Sequence, residues 1–211
     1  MALIIDTLSC RRGGRLVLSA VSARVEAGRA LVLRGPNGVG KTTLLRCLAG
    51  FVPVSGGGAT LNGEPLAGDN EGVALAGHLD AVKPAMTVAE TLRFWAALHG
   101  SDAEAALVAF DLAPLAERPA GSLSAGQKRR LGLARLPLTR ARLWLLDEPT
   151  VALDTGAVAA LLALLQGHLA GGGIALVSTH QTLALDADTL TLAPPSEDAH
   201  AADPFLEGFE T

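Results

Sequence analysis

The chain has 211 residues, of which 49% are apolar but only 3% aromatic, with 24 glycines and no tyrosine, which argues against folds that stack RNA bases on aromatic side chains. Its 17 Lys and Arg against 21 Asp and Glu give a net charge of −4, which disfavours a nucleic-acid-binding surface. Two cysteines are too few for a disulfide framework or for a zinc site made of cysteines alone.

Short apolar runs alternate with helical patterns along the chain, which is typical of an α/β fold. The predicted strands are 2–9, 20–26, 30–34, 59–61, 73–76, 143–146 and 174–178. The predicted helices are 41–50, 88–99, 102–110, 124–136 and 156–169, with capping boxes at Thr87/Glu90 and Ser101/Glu104 opening the second and third. Residues 194–211 are acidic, contain proline and lack periodicity, and are predicted to be a mobile tail.

A glycine-rich loop between the predicted strand 30–34 and the following helix fits the phosphate-loop pattern G-x-x-x-x-G-K-[ST] at every position. Its glycines let main-chain N–H groups converge on phosphate oxygens. Lys41 is expected to reach the β- and γ-phosphates, and Thr42 to place its hydroxyl on Mg²⁺. The strand–loop–helix context disfavours a chance match in a glycine-rich turn. The predicted nucleotide-binding residues here are Gly35, Pro36, Asn37, Gly38, Val39, Gly40, Lys41, Thr42 and Thr43.

The predicted strand 143–146 is apolar and ends in two carboxylates, Asp147 and Glu148, followed by Pro149. We expect it to lie beside the strand that leads into the phosphate loop, because α/β sheets bind ligands at the carboxyl ends of their strands. Asp147 would then hold Mg²⁺ through water, and Glu148 would act as the general base that polarises the attacking water. The alternative is an Asp-Glu pair that only begins a turn.

The run Leu123-Ser-Ala-Gly-Gln-Lys-Arg-Arg130 resembles the signature motif of ABC-type ATPases, and it lies just upstream of the acidic strand end, as in that family. Taken alone, it is equally compatible with a serine-capped helix that has a basic face. The resemblance implies a P-loop NTPase (RecA-like) core with an antiparallel β portion and a small helical lobe. It also implies a head-to-tail homodimer around two ATP with Mg²⁺, in which Ser124, Gly126 and Gln127 contact the nucleotide of the opposite subunit.

Two further motifs follow in the order that the family has. Residues 151–154 look like the D-loop, which passes between subunits, and residues 178–180 look like the switch-histidine motif. The resemblance implies that His180 contacts the γ-phosphate, acts catalytically with Lys41 and helps to hold the water and Glu148. It also implies a single ATPase domain over 1–193, with a core at about 1–77 and 139–193 and a helical lobe at about 87–138.

Two positions depart from the family pattern. Arg12 stands where the family usually has an aromatic that stacks on adenine; its guanidinium plane either replaces that stack or is a solvated turn arginine. His78 stands where the family has the Q-loop glutamine; it either senses Mg²⁺ or water through a ring nitrogen or is a loop histidine without a role.

Further details resemble one branch of the family, the ATP-binding subunit of the haem exporter of bacterial cytochrome c maturation (CcmA family). These details are the Gly77-His78 pair, the chain length and the run from Leu123 to Leu136. This resemblance implies an ATP-driven motor, peripheral on the cytoplasmic face of the bacterial inner membrane and bound to integral membrane transporter subunits. The alternatives are the ATPase of another ABC exporter, and a soluble ABC-type ATPase that acts on ribosomes or DNA. The acidity of the chain and its single ATPase module disfavour the latter.

No signal peptide is predicted, because Met1–Asp6 lacks a basic segment followed by a long apolar stretch. No membrane span is predicted, because the longest apolar stretch is about half of the roughly 20 residues that span a bilayer. Direct membrane insertion is therefore not expected, and the net negative charge disfavours nucleic-acid binding. Met86, Phe94 and Trp95 on the lobe serve either packing or a partner interface. The remaining arginines and histidines singled out are expected to be surface residues, and the cysteines small packing residues: Arg129, Arg130, Arg140, Arg142, His99, His168, His200, Cys10 and Cys47.

Overall fold

A five-stranded parallel sheet and a four-stranded antiparallel sheet organise the chain, which a computed structural model describes over residues 1–66, 71–77 and 82–195. The strands are β1 (Ala2–Arg12), β2 (Arg15–Glu26), β3 (Ala30–Arg34), β4 (Gly56–Leu61), β5 (Glu64–Pro65), β6 (Val73–Ala76), β7 (Leu143–Asp147), β8 (Ile174–Ser178) and β9 (Ala187–Thr191). The helices are α1 (Lys41–Leu48), α2 (Val88–His99), α3 (Ala103–Ala109), α4 (Ala125–Ala134) and α5 (Thr155–Ala170). Short 3₁₀ turns occupy Ala113–Leu115, Ala120–Ser122 and Leu136–Thr139.

The parallel sheet has the order β6-β7-β8-β3-β9, and its three central strands, β7, β8 and β3, are buried on both faces. Alternate side chains of a strand point to opposite faces. On β7, Leu143 and Leu145 pack with α1 and the antiparallel sheet, whereas Trp144 and Leu146 pack with the helical segment 88–138 and α5. The sheet therefore separates two hydrophobic clusters, and its carboxyl edge lies at the boundary between them.

The predicted neighbour of β7 is wrong. β8 lies between β7 and β3, with Ser178 paired in register to Asp147 on one side and to Leu33 on the other. The sequence indicates that the carboxyl ends share an edge, but it does not fix the order of strands, since β8 arises later in the chain and inserts between the two. The ends of all three strands still meet at one edge.

All the predicted strands and helices are present, with ends that differ by a few residues. β5 and β9 were not predicted: β5 has two residues, and β9 is an edge strand with largely exposed side chains and no apolar run. The predicted cap of α3 is also wrong. Asp102 caps this helix by accepting from Glu104 N at 3.0 Å, while the Ser101 hydroxyl donates to Leu138 O at 2.8 Å.

Some predicted features lie partly or wholly outside the described residues. His78 and His200 are among these, as is the predicted tail from residue 196 onward; Pro194 and Pro195 have no regular secondary structure. Within the part of the chain that the structure describes, no helix has both the length and the apolarity that crossing a membrane requires.

Candidate functional site

The phosphate loop leaves β3 at Arg34 and enters α1 at Lys41, as the motif predicts. Gly35 and Gly40 both have positive φ, at 131° and 109°. A Cβ on Gly35 would lie 2.5 Å from Leu192 O, and one on Gly40 would lie 2.7 Å from Leu18 Cδ2. Gly35 is therefore required both by conformation and by its approach to a main-chain carbonyl, and Gly40 is required by its conformation; the loop lies between β2 and the segment after β9.

Lys41 is the first residue of α1, and its side chain turns back over the loop. Its Nζ donates to Gly35 O at 2.8 Å and Pro36 O at 3.1 Å, and it lies 3.4 Å from His180 Nε2. The residue is only 8% exposed, so its charge is concentrated inside the loop. An ammonium in this position suits an anionic ligand held by the loop.

Asp147 lies between two hydroxyl groups at the carboxyl edge of the sheet. Its Oδ2 accepts from Thr42 Oγ1 at 2.8 Å, and its Oδ1 accepts from Ser178 Oγ at 2.6 Å. The structure thus brings together the two predicted Mg²⁺ residues, which come from α1 and β7. The role of Ser178 in this arrangement was not predicted; the only signal in the sequence was its place at the end of a strand, two residues before His180.

Glu148, His180 and Asn37 form the outer side of the same site. His180 Nε2 lies 2.9 Å from Asn37 Oδ1 and 3.6 Å from Glu148 Oε1. The side chain of Glu148 is 26% exposed and that of His180 is 52% exposed. The carboxylate therefore stands at the solvent side of the edge, beside the phosphate loop, where a water molecule has access to it.

Ser124 caps α4 in a capping box with Gln127. Ser124 Oγ accepts from Gln127 N at 3.2 Å, and Gln127 Oε1 accepts from Ser124 N at 2.9 Å. The serine-capped helix of the alternative interpretation is thus present, and it leaves Ser124 exposed at a helix N-terminus, where the helix dipole favours an anion.

The signature residues and the predicted D-loop line a common cavity of about 280 Å³. A Cβ on Gly126 would lie 2.7 Å from Ala152 O, so only glycine allows this approach. No described residue of the phosphate loop lines the cavity. Its lining residues are Ser124, Gly126, Gln127, Arg130, Ala152, Leu153, Asp154 and Ala157.

Arg12 lies exposed at the tip of the β1–β2 hairpin, in register with Arg15. It is close enough to Cys47 of α1 for its charge to act on the thiol. Burial, followed by the side chain of Cys10, nevertheless raises the pKa of Cys47 to about 12. Both cysteines are buried free thiols, which confirms the predicted packing role.

Four of the predicted surface residues are buried or half-buried: Arg129, Arg130, His99 and His168. The side chain of Arg130 is 17% exposed, and His99 stacks on Trp95. Arg129 is 6% exposed and donates to main-chain carbonyls at the ends of β6 and β7. His168 is half-buried and stacks on Trp144, with 3.8 Å between ring centroids; its pKa is lowered, mainly by burial. Helical periodicity did not reveal Arg129 or His168, because their partners lie on distant segments. Arg140 and Arg142 are exposed, as predicted.

Comparisons with known proteins agree with this geometry. The family model described as ABC transporter matches residues 18–151. The cytochrome c biogenesis ATP-binding export protein CcmA of Cereibacter sphaeroides is 50% identical over 97% of this chain and 98% of its own. Its counterpart from Ruegeria pomeroyi is 51% identical over 92% of each chain.

Two solved structures share the fold. The ATP-binding subunit of an ABC transporter has a TM-score of 0.84 at 26% identity and covers 94% of this chain and 91% of its own. A putative ABC transporter ATP-binding protein from Pyrococcus furiosus has a TM-score of 0.80 at 27% identity and covers 91% of this chain and 98% of its own. The expected fold, a P-loop NTPase core of ABC type, is therefore confirmed.

Proposed function

The chain belongs to the ABC transporter family and, within it, to the CcmA cytochrome c biogenesis export ATPases, and from that premise we propose how it works. We propose that two copies close around two ATP and drive integral membrane subunits that export haem for cytochrome c assembly. The complex would lie with this subunit on the cytoplasmic face of the bacterial inner membrane. The ATPase domain is proposed to cover 1–193, with the lobe at about 87–138.

Nucleotide phosphates are proposed to bind over the phosphate loop. The N–H groups of the loop and the N-terminus of α1 would hold the phosphate oxygens. Lys41 Nζ, which donates to Gly35 O and Pro36 O, would exchange these carbonyls for β- and γ-phosphate oxygens. The exchange favours binding because a charged acceptor makes a stronger hydrogen bond to an ammonium than a carbonyl does.

The Thr42–Asp147 pair fits a magnesium ion. Hydroxyl and carboxylate oxygens are the ligands that Mg²⁺ takes, and it is commonly held by one or two carboxylates together with substrate phosphates. Thr42 Oγ1 and Asp147 Oδ2 already lie 2.8 Å apart. Thr42 would ligate directly and Asp147 through water. When bound, the ion would neutralise part of the negative charge on the phosphates.

Glu148 is proposed to polarise the water that attacks the γ-phosphate. Its carboxylate stands beside the loop, with Oε1 3.6 Å from His180 Nε2. His180 is itself held by Asn37 Oδ1 at 2.9 Å. His180 would thus contact the γ-phosphate and orient Glu148, and most of the rate enhancement would come from positioning and charge stabilisation.

A second copy of the chain is proposed to complete each ATP site. The cavity formed by Ser124, Gly126 and the segment 151–154 is lined by no described residue of the phosphate loop of its own chain. The exposed N-terminus of α4 suits a γ-phosphate that another copy presents. In a head-to-tail dimer, each phosphate loop would face the signature residues of the other subunit.

The helical lobe is proposed to contact the membrane subunits. Phe94 and Leu98 are one turn apart on α2 and are 50% and 62% exposed. Large apolar side chains on one exposed face are typical of a protein interface. Trp95, whose ring contacts that of Phe94, and Met86 are both half-buried, so the two roles considered for these residues, packing and interface, coexist in this region.

Replacement of Arg12 by alanine is expected to weaken ATP binding by about three- to tenfold, since stacking of a guanidinium on a ring contributes on the order of 1 kcal/mol. Arg12→Trp is expected to restore the affinity. Arg15→Ala, which removes an exposed arginine directly across the hairpin, is the matched control and leaves binding unchanged. ATP affinity would be measured by calorimetry, and an unchanged affinity in Arg12→Ala refutes base stacking.

The transport assignment rests on one observation, identity of about 50% to CcmA proteins over nearly the whole chain. The test is deletion of the gene followed by measurement of c-type cytochromes, which should disappear while growth that does not need them persists. The wild-type gene should restore them, and a Glu148→Gln gene should not. Normal cytochrome levels in the deletion strain would assign the ATPase to another exporter, and recovery without any integral membrane subunit would favour a non-transport role.

A further inference from the structure

A buried arginine, Arg129, joins α4 to the ends of two strands of the parallel sheet. Its Nη2 donates to Asp147 O and to Glu148 O, both at 2.9 Å. Its Nε donates to Pro149 O at 3.3 Å, and its Nη1 donates to Gly77 O at 2.7 Å. A guanidinium carries five N–H donors in a rigid planar fork, so this one side chain can hold carbonyls of two separate strand ends at once.

The backbone of Glu148 depends on this fork. Its φ of 46° is a conformation that residues other than glycine rarely adopt, and such a conformation persists only where the surroundings over-determine it. Hydrogen bonds fix both main-chain polar groups of Glu148. Its N–H donates to Ser178 O at 2.9 Å, and its carbonyl oxygen accepts from Arg129. The direction of the Glu148 side chain is therefore set by β8 on one side and by Arg129 on the other.

Arg129 also lies on the helix that carries the signature residues. It follows Gly126 by three residues, which places both on neighbouring positions of the helix surface. Gly126 itself lies directly against Ala152 O, in the segment that follows Glu148. The planar guanidinium of Arg129 thus transmits a shift of α4 against the sheet to the Glu148 carbonyl, in addition to any transmission through flexible apolar contacts.

We propose that Arg129 is a positioning residue for hydrolysis. It holds the Glu148 backbone so that the carboxylate faces the γ-phosphate, and it links that orientation to the position of the signature helix. This inference rests on the proposed role of Glu148. Arg129 acts through the Glu148 main chain and is not one of the proposed nucleotide-binding residues, so its loss is expected to lower turnover and to leave the affinity for ATP unchanged.

The test compares steady-state ATP hydrolysis and ATP binding in Arg129→Gln and Arg129→Lys. Arg129→Gln is expected to lower kcat by about 10- to 100-fold, the effect of a misplaced catalytic group, with KM for ATP within about twofold of wild type. Arg129→Lys keeps the positive charge but lacks the planar guanidinium, so its kcat should lie between that of the wild type and that of Arg129→Gln. Arg142→Gln is the matched control, because Arg142 is an exposed arginine at the opposite end of β7 that donates to Gly171 O.

A double variant separates positioning from a general loss of structure. Arg129→Gln combined with Glu148→Gln is expected to hydrolyse ATP at the rate of Glu148→Gln alone, because no carboxylate is left to position. Multiplied losses in the double variant, or wild-type kcat in a folded Arg129→Gln, would overturn the proposal.

Failure of the positioning role and failure of the role of Glu148 give different results. If Glu148→Gln hydrolyses ATP at the wild-type rate, the role of Glu148 is wrong. If Glu148→Gln is inactive while the Arg129 variants remain fully active, only the positioning role is wrong. If Arg129→Gln does not fold, Arg129→Lys provides the same comparison; unfolding of both variants would assign Arg129 a structural role and overturn the proposal.

Discussion

Replacement of Lys41 by alanine is expected to lower the affinity for ATP by at least about a hundredfold and to abolish hydrolysis. Lys41 is one of three lysines in the chain, and its ammonium lies inside the loop, 8% exposed. A hydrogen bond to a charged group contributes about 1.5–3 kcal/mol, and the ammonium would make more than one to the phosphates. Binding would be measured by calorimetry and hydrolysis by phosphate release.

The matched control for Lys41→Ala is Arg24→Ala, which also removes one positive charge. Arg24 is an exposed residue of β2 that pairs with Glu26 at 2.7 Å, and exposed pairs of this kind contribute little. The Arg24→Ala protein should therefore bind ATP with the affinity of the wild type. If Lys41→Ala keeps wild-type affinity while both variants are folded, the phosphates do not bind at this loop.

Replacement of Glu148 by glutamine is expected to lower kcat by about 10²- to 10⁴-fold, the usual contribution of a general base. Glutamine keeps the size of the side chain and an oxygen beside His180, but it cannot take a proton from water. ATP affinity should stay within about twofold of wild type, because Lys41, Thr42 and Asp147 are unchanged. Single-turnover hydrolysis with excess protein would separate the chemical step from product release.

His180→Ala serves as a comparison for the Glu148 variant. His180 contacts Glu148 and Asn37, so its loss should reduce kcat less than loss of the carboxylate itself and should also leave ATP bound. A Glu148→Gln protein that turns over within tenfold of wild type would mean that another group polarises the water, and the proposed mechanism would then be wrong.

The sequence predicted the parts of the site whose geometry is local. A glycine-rich loop between a strand and a helix has few possible shapes, so Lys41 and Thr42 could be placed from the motif; Lys41 lies over the loop and Thr42 against Asp147. The capping box at Ser124 is likewise local, since its two hydrogen bonds join residues three apart. Short-range rules of sequence were sufficient for these features.

Features that depend on distant segments were not predictable in the same way. The insertion of β8 between β7 and β3 is a matter of topology that a strand pattern does not encode. Arg129 looked like a solvated arginine of a basic helix face, because its carbonyl partners lie on the ends of β6 and β7. The edge strand β9 has exposed side chains and therefore no apolar run to reveal it.

The proposed dimer has a composite site in which a phosphate loop from one copy and a signature helix from the other enclose ATP. The most direct measurement is the solution mass of Glu148→Gln by light scattering, with ATP and Mg²⁺ and then with ADP. We expect twice the monomer mass with ATP and the monomer mass with ADP, and a Ser124→Glu change added to this variant should keep it monomeric through repulsion of the γ-phosphate. A Glu148→Gln protein that is saturated with ATP but stays monomeric would contradict the composite site.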